Sequence, residues 1–321
     1  MIAVMMALSF QIVSPFTSIA QSTNNVSLDQ PGYYRMQVGE FEVTALADGT
    51  IPQDFSKLLT NARPGEIDQF LKLNYLTEPV ENSVNAYLIK ANNKLILVDA
   101  GTADAFGPSL GFLTKSLRNA GYKPEQIDAI LITHIHPDHV GGLMEGDKMV
   151  FPNATVYISK PELNFWLTDS SRKNAPEGLK YYFQNAEQKV GPYLKAGKVT
   201  AFEYGSELFP GITPIASPGH TPGHTFYALE SKGQKLVFWG DIMHVASVQL
   251  TDPSVTIQYD VDPKAAAFQR KKAFNDAAKY GYWVACDHVS FPGIGHLRAD
   301  GLKYVWAPAN YSTYGTAIIS H

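Results

Sequence analysis

The residues Leu131 to Gly142 read L-I-T-H-I-H-P-D-H-V-G-G and restrict the possible folds of this chain more than any other stretch. His134, His136, Asp138 and His139 place four metal-capable side chains within six positions. The apolar run Ala129-Ile130-Leu131-Ile132 ahead of them predicts a short buried strand. Pro137 cannot continue a central strand, so the cluster belongs on the loop at the strand's end. Residues two apart in extended chain point the same way, which turns His134 and His136 toward one cavity. The turn at Pro137 then re-aims Asp138 and His139. Gly141 and Gly142 let the backbone curl tightly afterwards. Imidazole and carboxylate suit zinc and similar divalent ions. Four such groups this close would crowd one tetrahedral ion that also takes ligands from elsewhere. Two adjacent ions explain the density better, and zinc is the expected metal.

This H-x-H-x-D-H pattern resembles that of the metallo-β-lactamase superfamily of binuclear metallohydrolases. The resemblance implies an α/β fold, a four-layer αββα sandwich with the metals at one edge between the sheets. It also implies further ligands. His220 lies in the segment S-P-G-H-T-P-G-H, Asp241 ends F-W-G-D, and His288 follows the strand-like Tyr282 to Cys286. In the implied division His134, His136 and His220 hold the first ion, and Asp138, His139 and His288 the second. Asp241 and a shared hydroxide join the two ions, and Asp138 or Asp241 relays a proton. Asp99, in V-D-A-G, matches the family aspartate that supports the metal loop; a plain turn residue ahead of Gly101 is the other reading. His224 reads as a supporting or turn group.

The remainder of the chain is consistent with one such domain over residues 36–321. Hydrophobic residues make up 45% and charged residues 17% of the 321, enough apolar material for a large core. A net charge of -4 without a basic run argues against a nucleic-acid partner. The single cysteine, Cys286, excludes an intrachain disulfide. Met1 to Ala20 is apolar and then small, with Ser18-Ile19-Ala20 ahead of Gln21, which predicts a signal peptide and export to the periplasm or beyond. Residues 21–35 read as a polar arm. No other stretch is apolar enough to span a bilayer. Strands are expected over Phe41–Leu46, Val84–Ile89, Lys94–Val98, Ala154–Ser159 and Lys235–Trp239. Helices are expected over Leu110–Ala120, Pro161–Thr168, Leu179–Leu194 and from Asp262-Pro263 to Gly281, with a polar turn from Ser170 to Gly178.

Four blocks carry a narrower resemblance: His220–Thr225, Asp252–Thr256, Arg270–Phe274 and His288–Arg298. They are similar to methyl parathion hydrolase and its lactonase and arylesterase relatives, the dihydrocoumarin-hydrolase group. That group implies a homodimer and an aromatic-walled pocket above the metals. Phe106, Trp166 and Tyr182 match or fall near the aromatic positions, and Phe183 is either wall or core. Leu59 stands where methyl parathion hydrolase has arginine, and His244, Ile257 and Tyr259 stand where it has leucine, threonine and leucine. The bulkier His244 and Tyr259 would narrow the pocket. A flat, uncharged aryl lactone or ester, such as dihydrocoumarin, should then fit more easily than a tetrahedral phosphotriester. Organophosphate triester hydrolysis is the runner-up activity. A protein that uses the ions only for structure or sensing is the reading from another class, and the aromatic walls argue against it.

Overall fold

A computed structural model describes residues 30–175 and 177–312. The expected signal peptide and most of the expected arm lie outside these residues. The strand Tyr33–Val38 begins inside the stretch read as an arm and pairs antiparallel with Phe41–Gln53.

Two sheets carry the chain. The first has seven strands in the order Tyr33–Val38, Phe41–Gln53, Val80–Ala91, Lys94–Val98, Ala129–Leu131, Thr155–Ser159 and Val199–Phe202. Its first four strands run antiparallel and the rest join in parallel. The second has six: Ile212–Ala216, Thr225–Ser231, Gln234–Phe238, Trp283–Ala285, Ile294–Asp300 and Lys303–Pro308. Only Gln234–Phe238 and Trp283–Ala285 pair in parallel there.

The layers follow from strand alternation. In the first sheet Ile89, Ile96, Val98, Ala129 and Leu131 point inward and meet Tyr227, Leu229, Leu236, Phe238 and Ala285 of the second. Their neighbours Leu88, Leu97 and Ile130 point outward and pack on Leu117, Trp166, Phe183 and Val190 from the helices. On the far side Phe226, Ala228, Val237 and Val284 pack on Ala273, Phe274 and Ala277 of the helix Pro263–Tyr280. Both sheets are therefore covered on both faces, which gives the four-layer αββα sandwich. This also explains why the central strands read as continuous apolar runs.

The long helix begins where the Asp262 carboxylate accepts a hydrogen bond from Ala265 N, and it stops at Gly281, whose φ is 65°. Three local expectations differ from what forms. The helix expected over Leu179–Leu194 divides into Lys180–Lys189 and Gly191–Lys195, because Pro192 has no N–H to continue the ladder. Asp169–Lys173, expected as turn, makes a short helix. Ile294–Asp300 and Lys303–Pro308 form a hairpin around Gly301, at φ 64°. No helix among the described residues is long and apolar enough to cross a membrane.

The parallel strands set the position of the site. Asp99 follows Val98, the His134 segment follows Leu131, Asp241 follows Phe238, and His288 follows Ala285, so four carboxyl ends converge on one edge of the sandwich. Such strand ends are where open α/β sheets place their chemistry.

Candidate metal centre

Two four-residue groups of ligand atoms form at that edge, each with its atoms within 4.8 Å of one another, and a third, Asp99, His139 and Asp287, shares His139 with the second. His134, His136, His220 and Asp241 make the first; Asp138, His139, His288 and Asp241 make the second. All seven side chains named from the sequence meet, and Asp241 is common to both groups. Only Asp138 is partly exposed; the other six are buried.

Local backbone explains the convergence. Pro137 opens a single helical turn, Pro137–Val140, with His136 as its cap, so the chain reverses direction between His136 and Asp138. Gly141 and Gly142 serve a purpose other than tight curling: a Cβ on Gly142 would lie 1.9 Å from Ala100 O, and one on Gly141 2.3 Å from Thr102 O. Their bareness lets the metal loop press against the Ala100–Thr102 turn, where Ala100 N donates to His139 O at 2.8 Å. Asp99 takes a left-handed φ of 59° there, which turns its carboxylate under the loop.

The hydrogen bonds on the outer ring nitrogens fix the tautomers. A carboxylate or a carbonyl can only accept, so each histidine facing one carries its proton on that side. Asp99 Oδ2 faces His139 Nδ1 at 2.8 Å, Asp260 Oδ1 faces His220 Nδ1 at 2.8 Å, and Ser83 O faces His288 Nδ1 at 2.9 Å. Thr133 Oγ1 donates to Asp99 at 2.6 Å, which leaves it to accept from His134 Nδ1 at 3.1 Å. In all four rings the Nε2 lone pair is thereby turned to the centre. His134 Nε2, His139 Nε2 and Asp241 Oδ1 are buried with no hydrogen-bond partner. His136 Nδ1 and His220 Nε2 approach to 3.0 Å. A set of inward lone pairs on buried, unpartnered atoms is unfavourable in a protein interior and favourable around cations. The residues fit two divalent ions that share Asp241.

The electrostatics agree. Burial, and then His139, hold His134 well below the ordinary imidazole value; burial and His220 do the same for His136. Burial also opposes charge at His220, but hydrogen bonds to Asp241 and Asp260 carry it up to about 9. His139 and His288 are raised against burial by Asp241 and Asp138. The carboxylate-rich half therefore calls for positive charge, which a divalent ion supplies while leaving the imidazoles neutral.

Supporting residues complete the site. His224 is held down to about 3, chiefly by burial. Its Nδ1 faces Ser217 O at 3.2 Å and its Nε2 accepts from Asp241 N at 3.1 Å, so both nitrogens are engaged away from the ions. Asp99 carries the supporting role rather than the turn role alone, since it also accepts from Thr133 N at 2.8 Å. Asp260, Glu162, Asp287 and Asp48 were not singled out from the sequence. Asp287 comes within 3.3 Å of His139 Nδ1, and burial pushes its carboxyl well up. Burial likewise raises Glu162, although four hydrogen bonds oppose the shift. Asp48 accepts from Thr102 N, Thr102 Oγ1, Gly111 N and Leu113 N at 2.6–3.2 Å and so anchors both ends of the loop that carries Phe106.

A cavity of about 420 Å³ opens above Asp138, Asp241 and His288. Phe106, Tyr182, His244 and Tyr259 line it, as expected, and Leu58, Ile51 and Val84 add apolar wall that the sequence did not indicate. His244 Nε2 lies 3.1 Å from Asp241 Oδ2, and its ring stacks on His288 at 5.4 Å. Lys57 is the one lysine or arginine among the described residues at the lining, and it is paired with Asp54.

Three expected wall residues are elsewhere. Trp166 is 1% exposed and lies behind His136, with its indole N–H donating to Glu162 at 2.7 Å one helical turn earlier. Leu59 and Ile257 pair with each other across a two-residue ladder and are buried with Phe55, Phe70 and Val248. They build the core beneath Tyr259 and Leu58, not the cavity surface. Phe183, left open as wall or core, is core.

The family model described as the metallo-beta-lactamase superfamily matches residues 79–285. Among solved structures, hydrolase AbOPH in the beta lactamase superfamily is 38% identical, with a TM-score of 0.84 over 88% of this chain and 99% of that one. AidC, a dizinc quorum-quenching lactonase in complex with an N-hexanoyl-L-homoserine product, is 28% identical, with a TM-score of 0.81 and the same coverage. An N-acyl homoserine lactonase of Bacillus cereus is 27% identical over 170 residues, 47% of this chain and 60% of that protein. A ribonuclease of Thermus thermophilus is 28% identical over 53% of this chain, which spans 38% of its length. The chain thus spans less than two thirds of these curated relatives.

Proposed function

The chain belongs to the metallo-beta-lactamase superfamily, and from that premise we propose that it is a binuclear metal-dependent hydrolase of uncharged lactones and aryl esters of the dihydrocoumarin type. The observation that carries the reading is the character of the cavity. Its floor is the ligand cluster, its walls are Phe106, Tyr182, Tyr259 and aliphatic side chains, and its one lysine is exposed and paired with Asp54. Such a pocket receives flat apolar molecules, and beyond the metal positions its lining holds no unpaired lysine or arginine to clamp an anionic group.

Two divalent ions in the cluster, with zinc the ion we propose, would lower the pKa of water toward neutrality and stabilise negative charge developing on oxygen. The protein's own part is positional. Asp99, Asp260 and Ser83 O hold three rings in the tautomer that presents Nε2. Asp138 is the more exposed of the two ligand carboxylates at the cavity, with its side chain 20% exposed against 3% for Asp241, and it is placed to pass a proton to a departing oxygen. A phenolate departs readily, so little further acid assistance is needed. His244 and Tyr259 narrow the cavity beside Asp241, which favours a planar ring over a tetrahedral phosphorus centre.

A second reading, hydrolysis of N-acyl homoserine lactones, is supported by the likeness to AidC and suits the same uncharged cavity. The test is kcat/KM of the metal-loaded protein on dihydrocoumarin, an N-acyl homoserine lactone and methyl parathion. The expected order places the aryl lactone first and methyl parathion last. A large preference for methyl parathion reverses the substrate assignment, and turnover of none of the three removes the hydrolase reading.

A further inference from the structure

Glu162 neither lines the cavity nor belongs to the ligand groups, yet it reaches two segments that do. It is 1% exposed and sits in the first turn of the helix Lys160–Trp166. Its two oxygens divide four donors. Oε1 accepts from Ile135 N at 2.8 Å and Trp166 Nε1 at 2.7 Å. Oε2 accepts from Thr221 Oγ1 at 2.7 Å and Gly223 N at 2.9 Å. Ile135 lies between His134 and His136, and Thr221 is next to His220. One carboxylate therefore ties together the two segments that supply all three imidazoles of the first ligand group. Gly223 confirms how close this approach is, because a Cβ there would meet Glu162 N at 2.2 Å. The second group is braced by other residues, His139 by Asp99 and His288 by Ser83 O.

We propose that Glu162 is a positioning residue for the first metal position alone: it sets the separation between His134 and His136 on one side and His220 on the other. The inference rests on the two-ion reading of the site. It makes a chemical demand that packing would not. All four partners are donors, which a carboxylate can satisfy together. A carboxamide turns its NH2 toward one pair. Facing Thr221 and Gly223, it meets a hydroxyl that can rotate to accept and a backbone N–H that cannot. Facing Ile135 and Trp166, it meets two donors that cannot accept. Glu162→Gln, nearly identical in volume, must therefore give up at least one of the four bonds and loosen the tie between the two segments.

The experiment titrates metal-stripped wild type, Glu162→Gln and Thr221→Val with Zn2+ and with Co2+, with metal content measured directly and folding checked by circular dichroism. In the Co2+ forms, shifted imidazole N–H signals number three for the first position and two for the second. Wild type is expected to take two ions. Glu162→Gln should bind the first roughly 10–100-fold more weakly, as loss of a group supporting metal ligands does, and the second unchanged. Thr221→Val, which deletes one of the four bonds, should weaken the same position by a smaller factor, and it decides the matter if Glu162→Gln does not fold. Wild type holding two ions while the variants bind both as wild type does, or lose both equally, overturns the proposal. Wild type holding fewer than two overturns the two-ion reading and the proposal with it.

Discussion

The floor of the cavity and its wall are built on different principles. On the floor, the rings of His139, His220 and His288 each have the outer nitrogen held by an acceptor from another segment, and Asp241 is held through its own N–H by His224. Every ligand but Asp138 is buried. On the wall, Phe106 is 37% exposed and belongs to a loop that Asp48 anchors at both ends and Thr50 N holds at Ser109 O, and Tyr182 and Tyr259 are held mostly by ring packing. The floor is thus held from outside, and the rings of His139, His220 and His288 each have one permitted orientation. The wall is a set of side chains that can be exchanged without disturbing the layers behind. Chemistry should be sensitive to the first and substrate choice to the second.

The largest expected effect tests the floor. Asp241→Asn keeps the shape of the shared ligand but replaces one oxygen with a donor that would face imidazole lone pairs. The kcat/KM should fall on the order of 10³-fold or more, with fewer than two ions retained. Assay in excess metal, with metal content measured alongside, checks it. A variant that keeps two ions and a tenth of the activity would show that the floor is less constrained than its bonding indicates.

The same contrast explains what the sequence made legible. Four ligands of the floor lie within six residues, and the chemistry of metal binding dictates their types, so the pattern is local. His220, Asp241 and His288 became assignable through family likeness; Asp241 and His288 follow apolar strands that hydropathy also marks, whereas His220 lies in the loop between Ile212–Ala216 and Thr225–Ser231. Glu162 and Asp260 carry no pattern. Glu162 looks like any acid in a helix's first turn, and Asp260 meets His220 only through a tertiary fold that brings residues 40 apart together. The four layers were expected from the family likeness, and the central strands, apolar on both faces, accord with it. Leu59 and Ile257 were misplaced because their strands are two residues long, too short for alternation to reveal which side chain turns inward. The hairpin after Ile294 was missed although Asp300-Gly301 is a turn signal and Tyr304–Ala307 an apolar run, since His296, Arg298 and Asp300 break the apolar pattern of its first strand.

Leu59 and Ile257 sharpen the boundary between wall and core. Ile257→Ala or Leu59→Ala removes a buried side chain from a cluster with Phe55, Phe70 and Val248. Either should cost about 2–5 kcal/mol of stability and lower the melting temperature by roughly 5–15 °C. Alanine retains the Ile257 N–H that donates to Asp260 at 3.1 Å, so the brace on His220 survives. The ratio of kcat/KM for dihydrocoumarin to that for methyl parathion should stay within about twofold of wild type, as expected for residues that do not touch substrate. Thermal melts and the two-substrate ratio separate the outcomes. A large change in ratio at unchanged stability would place these side chains on the cavity surface after all.

The smallest effect belongs to the wall itself. Phe106 lies on the loop between Gly101 and Gly111, and its ring contributes one aromatic face to the cavity. Asp48 holds that loop from below through Thr102, Gly111 and Leu113, and none of these bonds involves Phe106. Phe106→Ala should therefore leave the fold and both metal positions intact. What it removes is contact with a flat aryl substrate, about 0.5–1.5 kcal/mol for an aromatic pair. That corresponds to a rise in KM of roughly 2- to 12-fold with kcat little changed. The loss should vanish for a substrate without an aryl ring, because no ring remains for Phe106 to face. Steady-state kinetics on an aryl and an alkyl lactone decide this: an equal loss on both, or a fall in kcat, would mean that the loop positions the floor instead of forming the wall.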